Sequence, residues 1–236
     1  MIIPLENFFK NPDKINFKLS PDGKCISYLT SWKNRLNIFV QEVGTENVNQ
    51  VTMQTDKDVT IYGWKGNNKL LFLQDKNGDE NYKLYSVDKN GKNLKLLTPL
   101  EKVRVEIVDD LEEIDDYILI GTNSRVPQIF DVYKLNVNTG DMTLVAMNPG
   151  NILQWVTDHD GNLRAAVESD GVNTSILYRD NDSQEFRKIL STNFRETVNP
   201  LFFTFDNKML YMSSNLNRDK LAIVKFDPQT SKEVEV

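Results

Sequence analysis

Gly66-Asn67-Asn68-Lys69-Leu70-Leu71-Phe72-Leu73, followed by Tyr82-Lys83-Leu84-Tyr85-Ser86-Val87, Asn90-Gly91 and Leu94-Lys95-Leu96-Leu97, decides the fold. A polar turn pair opens the stretch and an apolar run follows it. The next run sets Leu84 and Ser86 against Tyr85 and Val87. That alternation is strand periodicity, because successive side chains of a strand point to opposite faces. Asn90-Gly91 then supplies the positive φ that a tight hairpin turn requires, which Gly and Asn tolerate best. With the run Val59–Trp64 ahead of it, the stretch reads as four consecutive antiparallel strands.

The same unit recurs on both sides. Opening turn pairs stand at Asp22-Gly23, Gly66-Asn67, Asp115-Asp116, Asp160-Gly161 and Asp206-Asn207, with steps of 44, 49, 45 and 46 residues. Closing turns follow at Gly44-Thr45, Asn90-Gly91, Thr139-Gly140, Asn181-Asp182 and Pro228-Gln229. Each repeat ends in a shorter run: Gln50–Met53, Leu94–Leu97, Met142–Met147, Phe186–Leu190 and Lys232–Val236. A period of roughly 46 residues is near the length of a four-stranded propeller blade. The fold class is therefore all-β, a β-propeller of about five four-stranded blades. The blades lie near residues 16–54, 58–98, 103–147, 151–191 and 197–236, after a lead-in segment, 1–15, that holds a short helix or turn. A β-sandwich built of hairpins is the structural alternative, and the constant spacing speaks against it. No ring-closing device is visible, and an array with raw end blades would expose apolar faces. The chain thus reads as a fragment, with self-association through open end blades as a further expectation.

Composition narrows the function classes. Of 236 residues, 39% are hydrophobic and 10% aromatic, enough for a sizeable core. The formal charge of −6, with Lys and Arg scattered, argues against a nucleic-acid partner, which needs a basic stripe. No run approaches the ~18 apolar residues of a membrane span. Met1–Leu5 is too short for a signal-peptide core. The single Cys25 excludes an intramolecular disulfide and sits in an alternating apolar run, as a small strand residue rather than a reactive thiol. A reducing, cytoplasmic location is expected, and neither a cofactor nor a metal.

Several residues invite a site reading. Asp75, Asn77 and Asp79 have the spacing that opens an EF-hand loop, but the sixth position is Glu80 and the twelfth Ser86. Calcium needs Gly and a bidentate Glu there, so a solvated hairpin is the better reading. The run Asp109-Asp110-Leu111-Glu112-Glu113-Ile114-Asp115-Asp116 reads as a charged turn, with attraction of a peptide N-terminus as the functional alternative. Arg125, in Asn123-Ser124-Arg125, lies on a loop between strands. Its guanidinium can clamp a carboxylate bidentately or tie down its own loop through backbone carbonyls. Tyr62, Trp64, Trp155 and Phe203 fall on inner strands and read as inter-blade packing. No carboxylate pair stands out as a glycosidase acid and base.

Local motifs add a resemblance. Gln74-Asp75-Lys76-Asn77-Gly78-Asp79-Glu80-Asn81-Tyr82-Lys83-Leu84-Tyr85 resembles the D-x-x-G-D-E-x-Y-x-L-Y hairpin of prolyl-oligopeptidase-family propellers, in their acylaminoacyl-peptidase and dipeptidyl-aminopeptidase branch. Asn123-Ser124-Arg125 with Asp131-Val132-Tyr133 and Thr139-Gly140 is similar to that branch's N-x-R…D-V-Y…T-G stretch. Trp155, Asp158, Gly161 and Arg164 resemble its W-x-x-D-x-x-G-x-x-R segment, and Phe8-Phe9-Lys10-Asn11-Pro12 its beginning. The resemblance implies a propeller of seven or eight blades that gates short or N-acylated peptides to a C-terminal α/β-hydrolase domain with a Ser–Asp–His triad. Arg125, Asn123, Glu80 and Asp79 are the candidates for substrate or domain-interface binding. The chain departs from the family in lacking G-x-S-x-G, whose glycines permit the strained turn that exposes the nucleophile. Its one histidine, His159, has no serine motif to serve. No catalytic residue is expected here, and the chain should be inactive alone. A stand-alone TolB-like or WD-repeat-like interaction scaffold is the competing class, with a five-bladed glycan-active enzyme as a third.

Overall fold

The computed structural model describes residues 3–76 and 78–234. A single helical turn, α1 (Glu6–Phe9), precedes the strands. The first sheet holds β1 (Lys14–Leu19), β2 (Cys25–Trp32), β3 (Arg35–Glu42) and β4 (Val48–Gln50). The second holds β5 (Ile61–Lys65), β6 (Lys69–Gln74), β7 (Lys83–Asp88) and β8 (Lys95–Leu96). The third holds β9 (Val105–Asp109), β10 (Tyr117–Val126), β11 (Ile129–Asn136) and β12 (Met142–Ala146). The fourth runs β13 (Ile152–Thr157), β14 (Leu163–Ser169), β15 (Thr174–Tyr178) and β16 (Arg187–Thr192). The fifth runs β17 (Val198–Phe203), β18 (Leu210–Ser214), β19 (Ala222–Asp227) and β20 (Lys232–Val234). In every sheet the strands neighbour each other in chain order. Each is thus a self-contained antiparallel blade, as the period predicts, and among the described residues no blade borrows a strand from another. Among the described residues no helix is long and apolar enough to cross a membrane.

The chain divides into two compact units. The first comprises Met1–Val105, Ile114–Asp116 and Val137–Gly140. Its core packs Cys25, Leu29, Ile38 and Val40 of the first sheet on Tyr62, Leu70, Phe72 and Val87 of the second. Cys25 is buried, as its place in the alternating run requires. Aromatic side chains also tie the two sheets together: the Tyr62 hydroxyl donates to the Asn16 carbonyl at 2.6 Å and the Trp64 indole to that of Lys18 at 3.3 Å. The second unit comprises Glu106–Glu113, Tyr117–Asn136 and Asp141–Val236. There Ala165, Val167, Ile176 and Tyr178 of the fourth sheet pack on Phe203, Leu210, Met212 and Phe226 of the fifth.

Opening turns latch to one another inside each unit. The Asp22 N–H donates to Asn67 Oδ1 at 2.9 Å, and the His159 N–H donates to Asn207 Oδ1 at 2.9 Å. An asparagine of one turn thus accepts from the turn of the preceding blade at corresponding points of the repeat.

The outermost strand of the first blade is shifted from the run Gln50–Met53 to Val48–Gln50. Thr52 causes the shift. Its Oγ1 accepts the Ile38 N–H at 2.9 Å, so a side chain takes the ladder bond and the backbone leaves the sheet. Thr98 repeats the device, accepting the Leu84 N–H at 2.9 Å just after β8. The run Lys232–Val236 is described as far as Val234.

Candidate functional site

The hairpin between β6 and β7 owes its shape to two aspartates. Asp75 directly follows β6 with its carboxylate buried, ion-paired to Lys57 and accepting the Glu80 N–H at 3.2 Å. Burial works to raise this carboxyl, but Lys57 and the Glu80 amide together hold it below the usual carboxylate range. Asp79 Oδ1 accepts the Lys76 N–H at 3.3 Å and the Asn81 N–H at 3.0 Å. Local desolvation works to raise the exposed Asp79 carboxyl, and the Asn81 and Lys76 donors, with the Lys83 charge, outweigh it and hold it below its ordinary range. Glu80 is exposed, with a left-handed φ of 57°. The oxygens of Asp75 and Asp79 are therefore engaged by protein donors, while Asn77 lies outside the described residues. Among the described residues no cluster of His, Cys, Asp and Glu is arranged to hold a metal.

Beside this hairpin, within the first unit, opens a groove of about 610 Å³. Gln54, Lys57, Gln74, Lys83, Tyr85 and Glu101 line it among others. Its position follows from the pleat: Lys83, Tyr85 and Val87 share one face of β7, and Tyr85 and Val87 pack into the core of this unit. Lys83 is carried onto that face at the end of the strand. Its side chain is 13% exposed, and its ammonium lies 3.7 Å from Glu101, a carboxylate 93% exposed, and within electrostatic reach of Asp79.

Arg125 and Asn123 belong to the second unit, where the β10–β11 ladder breaks register between Thr122 and Val126. Such irregularities re-aim side chains. Arg125 Nε and Nη2 donate to the two oxygens of Asp131 at 2.7 and 2.8 Å, and Nη2 also to the Asn148 carbonyl at 2.7 Å. The guanidinium does clamp a carboxylate bidentately, and that carboxylate is the protein's own. The pair drives Arg125 upward and holds Asp131 below its ordinary range. Asn123 Nδ2 donates to the Pro127 carbonyl at 2.8 Å, closing the same turn. In the acidic run, Asp109 accepts from Thr157 and, at 2.8 Å, from the Leu111 N–H. His159 lies with Nε2 3.0 Å from the Phe203 carbonyl and its ring stacked on Phe205.

The groove residues Lys57 and Lys83 were not among the sequence candidates. Lys57 sits in a connection with no distinguishing pattern. Lys83 carried a signal, since an ammonium in register with Tyr85 and Val87 stands on an apolar face, where lysine needs a partner.

Dipeptidyl aminopeptidase BIII of Pseudoxanthomonas mexicana is 28% identical over 235 residues, covering 98% of this chain and 34% of that protein. Dipeptidyl peptidase family member 6 of Caenorhabditis elegans is 26% identical over 256 residues, covering 99% of this chain and 34% of that protein. The chain spans about a third of the length of the curated relatives it matches. No family model matches it. Among solved structures, Porphyromonas gingivalis dipeptidyl peptidase 4 shares the fold with a TM-score of 0.67 at 16% identity, over 94% of this chain and 38% of that one. The chain has the β-propeller blade fold and is similar over nearly all its length to a dipeptidyl aminopeptidase and a dipeptidyl peptidase family member, spanning about a third of each.

Proposed function

We propose that this chain is the non-catalytic propeller portion of a serine peptidase, gating short peptides to an α/β-hydrolase domain carried elsewhere on the same polypeptide. The observation that carries this reading is homology along 98% of the chain to a dipeptidyl aminopeptidase of which it covers 34%. The placement of His159 supports it. A triad base must face a nucleophile and an orienting acid, whereas this imidazole lies against a backbone carbonyl and an aromatic ring. The substrates proposed for the whole protein are peptides from which N-terminal dipeptides are released, with N-acylated peptides as the second class. A cytoplasmic setting belongs to the same proposal and fits a lone, buried, unoxidised Cys25.

The test compares dipeptidyl and N-acetyl-aminoacyl 4-nitroanilides as substrates. The purified 236-residue chain should release no nitroaniline above background, and a polypeptide continuing into a hydrolase domain should turn over the dipeptidyl substrate faster. Turnover by the purified chain itself would overturn the proposal.

A further inference from the structure

The groove of the first unit holds a lysine, Lys83, whose ammonium makes no hydrogen bond to another described residue. Lysine has three N–H donors and is rarely buried without a partner. The Lys83 side chain is only 13% exposed; Glu101 stands at 3.7 Å, beyond hydrogen-bond distance, and the exposed Asp79 carboxylate also feels the Lys83 charge. Lys57, by contrast, is paired with the buried Asp75 and fixes the wall of the groove. The lining charges are Lys57, Lys76 and Lys83 against Asp56, Asp75 and Glu101. Glu101, being 93% exposed, returns to water at little cost. With Glu101 turned out, the lining side chains carry one net positive charge, and the exposed Asp79 is the carboxylate that still faces Lys83 from outside the lining. Tyr85 and Leu96 give it an apolar floor, and Gln54 and Gln74 bring carboxamides of the kind that pair with peptide backbone. Its volume of about 610 Å³ lies within the range of small-ligand sites.

We propose that this groove binds the C-terminal carboxylate of a short peptide, with the Lys83 ammonium as its counter-ion and Glu101 as the group it displaces. The assignment rests on the peptidase reading for its choice of peptide, and it adds to that reading a selection for free-acid termini. Lys83 then gains the acceptor it lacks, and the carboxylate gains a charge-assisted bond in a partly desolvated setting.

Isothermal titration of the purified 236-residue chain tests this without hydrolysis entering the readout. The probes are tetra-alanine, tetra-alanine amide, and Ala-Ala-Glu-Ala amide, which offers only a side-chain acid. Tetra-alanine should bind at least about tenfold more tightly than either amide, a difference of about 1.4 kcal/mol. Lys83→Met should weaken the free acid by about tenfold or more, and Glu101→Gln should tighten it several-fold because the competing carboxylate is gone. Equal binding of acid and amide, equal binding of the side-chain acid, or unchanged affinity in Glu101→Gln would each overturn the proposal, and the last does not depend on Lys83→Met remaining folded. Absence of binding would overturn this inference and leave the propeller reading intact, whereas nitroanilide turnover by the chain would do the reverse.

Discussion

Asp131 shows how much a single carboxylate can hold in place. It is 1% exposed and accepts from both nitrogens of the Arg125 fork and, at 2.8 Å, from the Asn148 N–H. Removing the carboxylate leaves those donors facing each other, so Asp131→Ala should cost about 3 kcal/mol, read as a lower urea midpoint with unchanged slope. Its acid dependence has a fixed sign. The folded carboxyl sits below its unfolded value, so its contribution is complete above that value and is lost as pH falls through the folded one. Asp131→Asn should therefore show a smaller stability loss than wild type between about pH 5 and about pH 2; an equal loss would contradict the assignment. Arg164 has a comparable position in the second unit. It donates to the Asn207 carbonyl at 2.7 Å and contacts Asp158 at 3.3 Å, with its guanidinium over the Phe203 ring. Arg164→Met should cost about 3–5 kcal/mol, because it strands Asp158 in a buried site. The sequence marked both arginines as notable, yet could not say whose acceptors they meet. Asp131 lies six residues from Arg125 and Asn207 forty-three from Arg164. Only the folded turns bring them together.

Among elements, the blade-closing threonines carry the clearest local prediction. Thr52 and Thr98 are buried, and each satisfies a strand amide that the ladder has abandoned. Thr98→Val keeps the shape but orphans the Leu84 N–H, at a cost of about 1–3 kcal/mol, whereas Thr98→Ser should retain most of the stability. Faster hydrogen exchange at Leu84 in the valine variant, restored in the serine variant, is the expected readout. Exchange unchanged in both would refute the account. This device explains why the existence of the strands was legible and the end of the first blade was not. Val51-Thr52-Met53 has the alternation and β-branching of a strand, and nothing in the order of residues announces that a hydroxyl replaces a backbone carbonyl. Inner strands were easier to read, because Tyr62 and Trp64 stand two residues apart and both reach back to the preceding blade. The latch asparagines were visible only as turn residues, though Asn67 and Asn207 each accept from the turn of another blade.

At the scale of the molecule, many carboxylates are held in their charged form by turns. Asp22, Asp206 and Asp227 lie below the ordinary range through hydrogen bonds from Ser20, Thr204 and the Gln229 amide, respectively. Asp170 is lowered to about 2, chiefly by the amide and side chain of Asn173. Each contributes stability that is present above its unfolded value and lost in acid, so the melting temperature should fall steadily below about pH 4; a flat profile down to about pH 2 would contradict this. The period of the repeat made the all-β blade architecture readable from residue order alone, since each blade is closed within its own stretch of chain. The groove was not readable, because Lys57 comes from the connection between the first two blades and Lys83 from a strand of the second, and only their packing gives them a common wall. The central claim is that this propeller serves a peptidase whose nucleophile lies outside it. Labelling a longer polypeptide containing this chain with a fluorophosphonate, followed by peptide mapping, tests that claim most directly. The account predicts a modified serine outside residues 1–236; activity-dependent modification of a serine within them would contradict it.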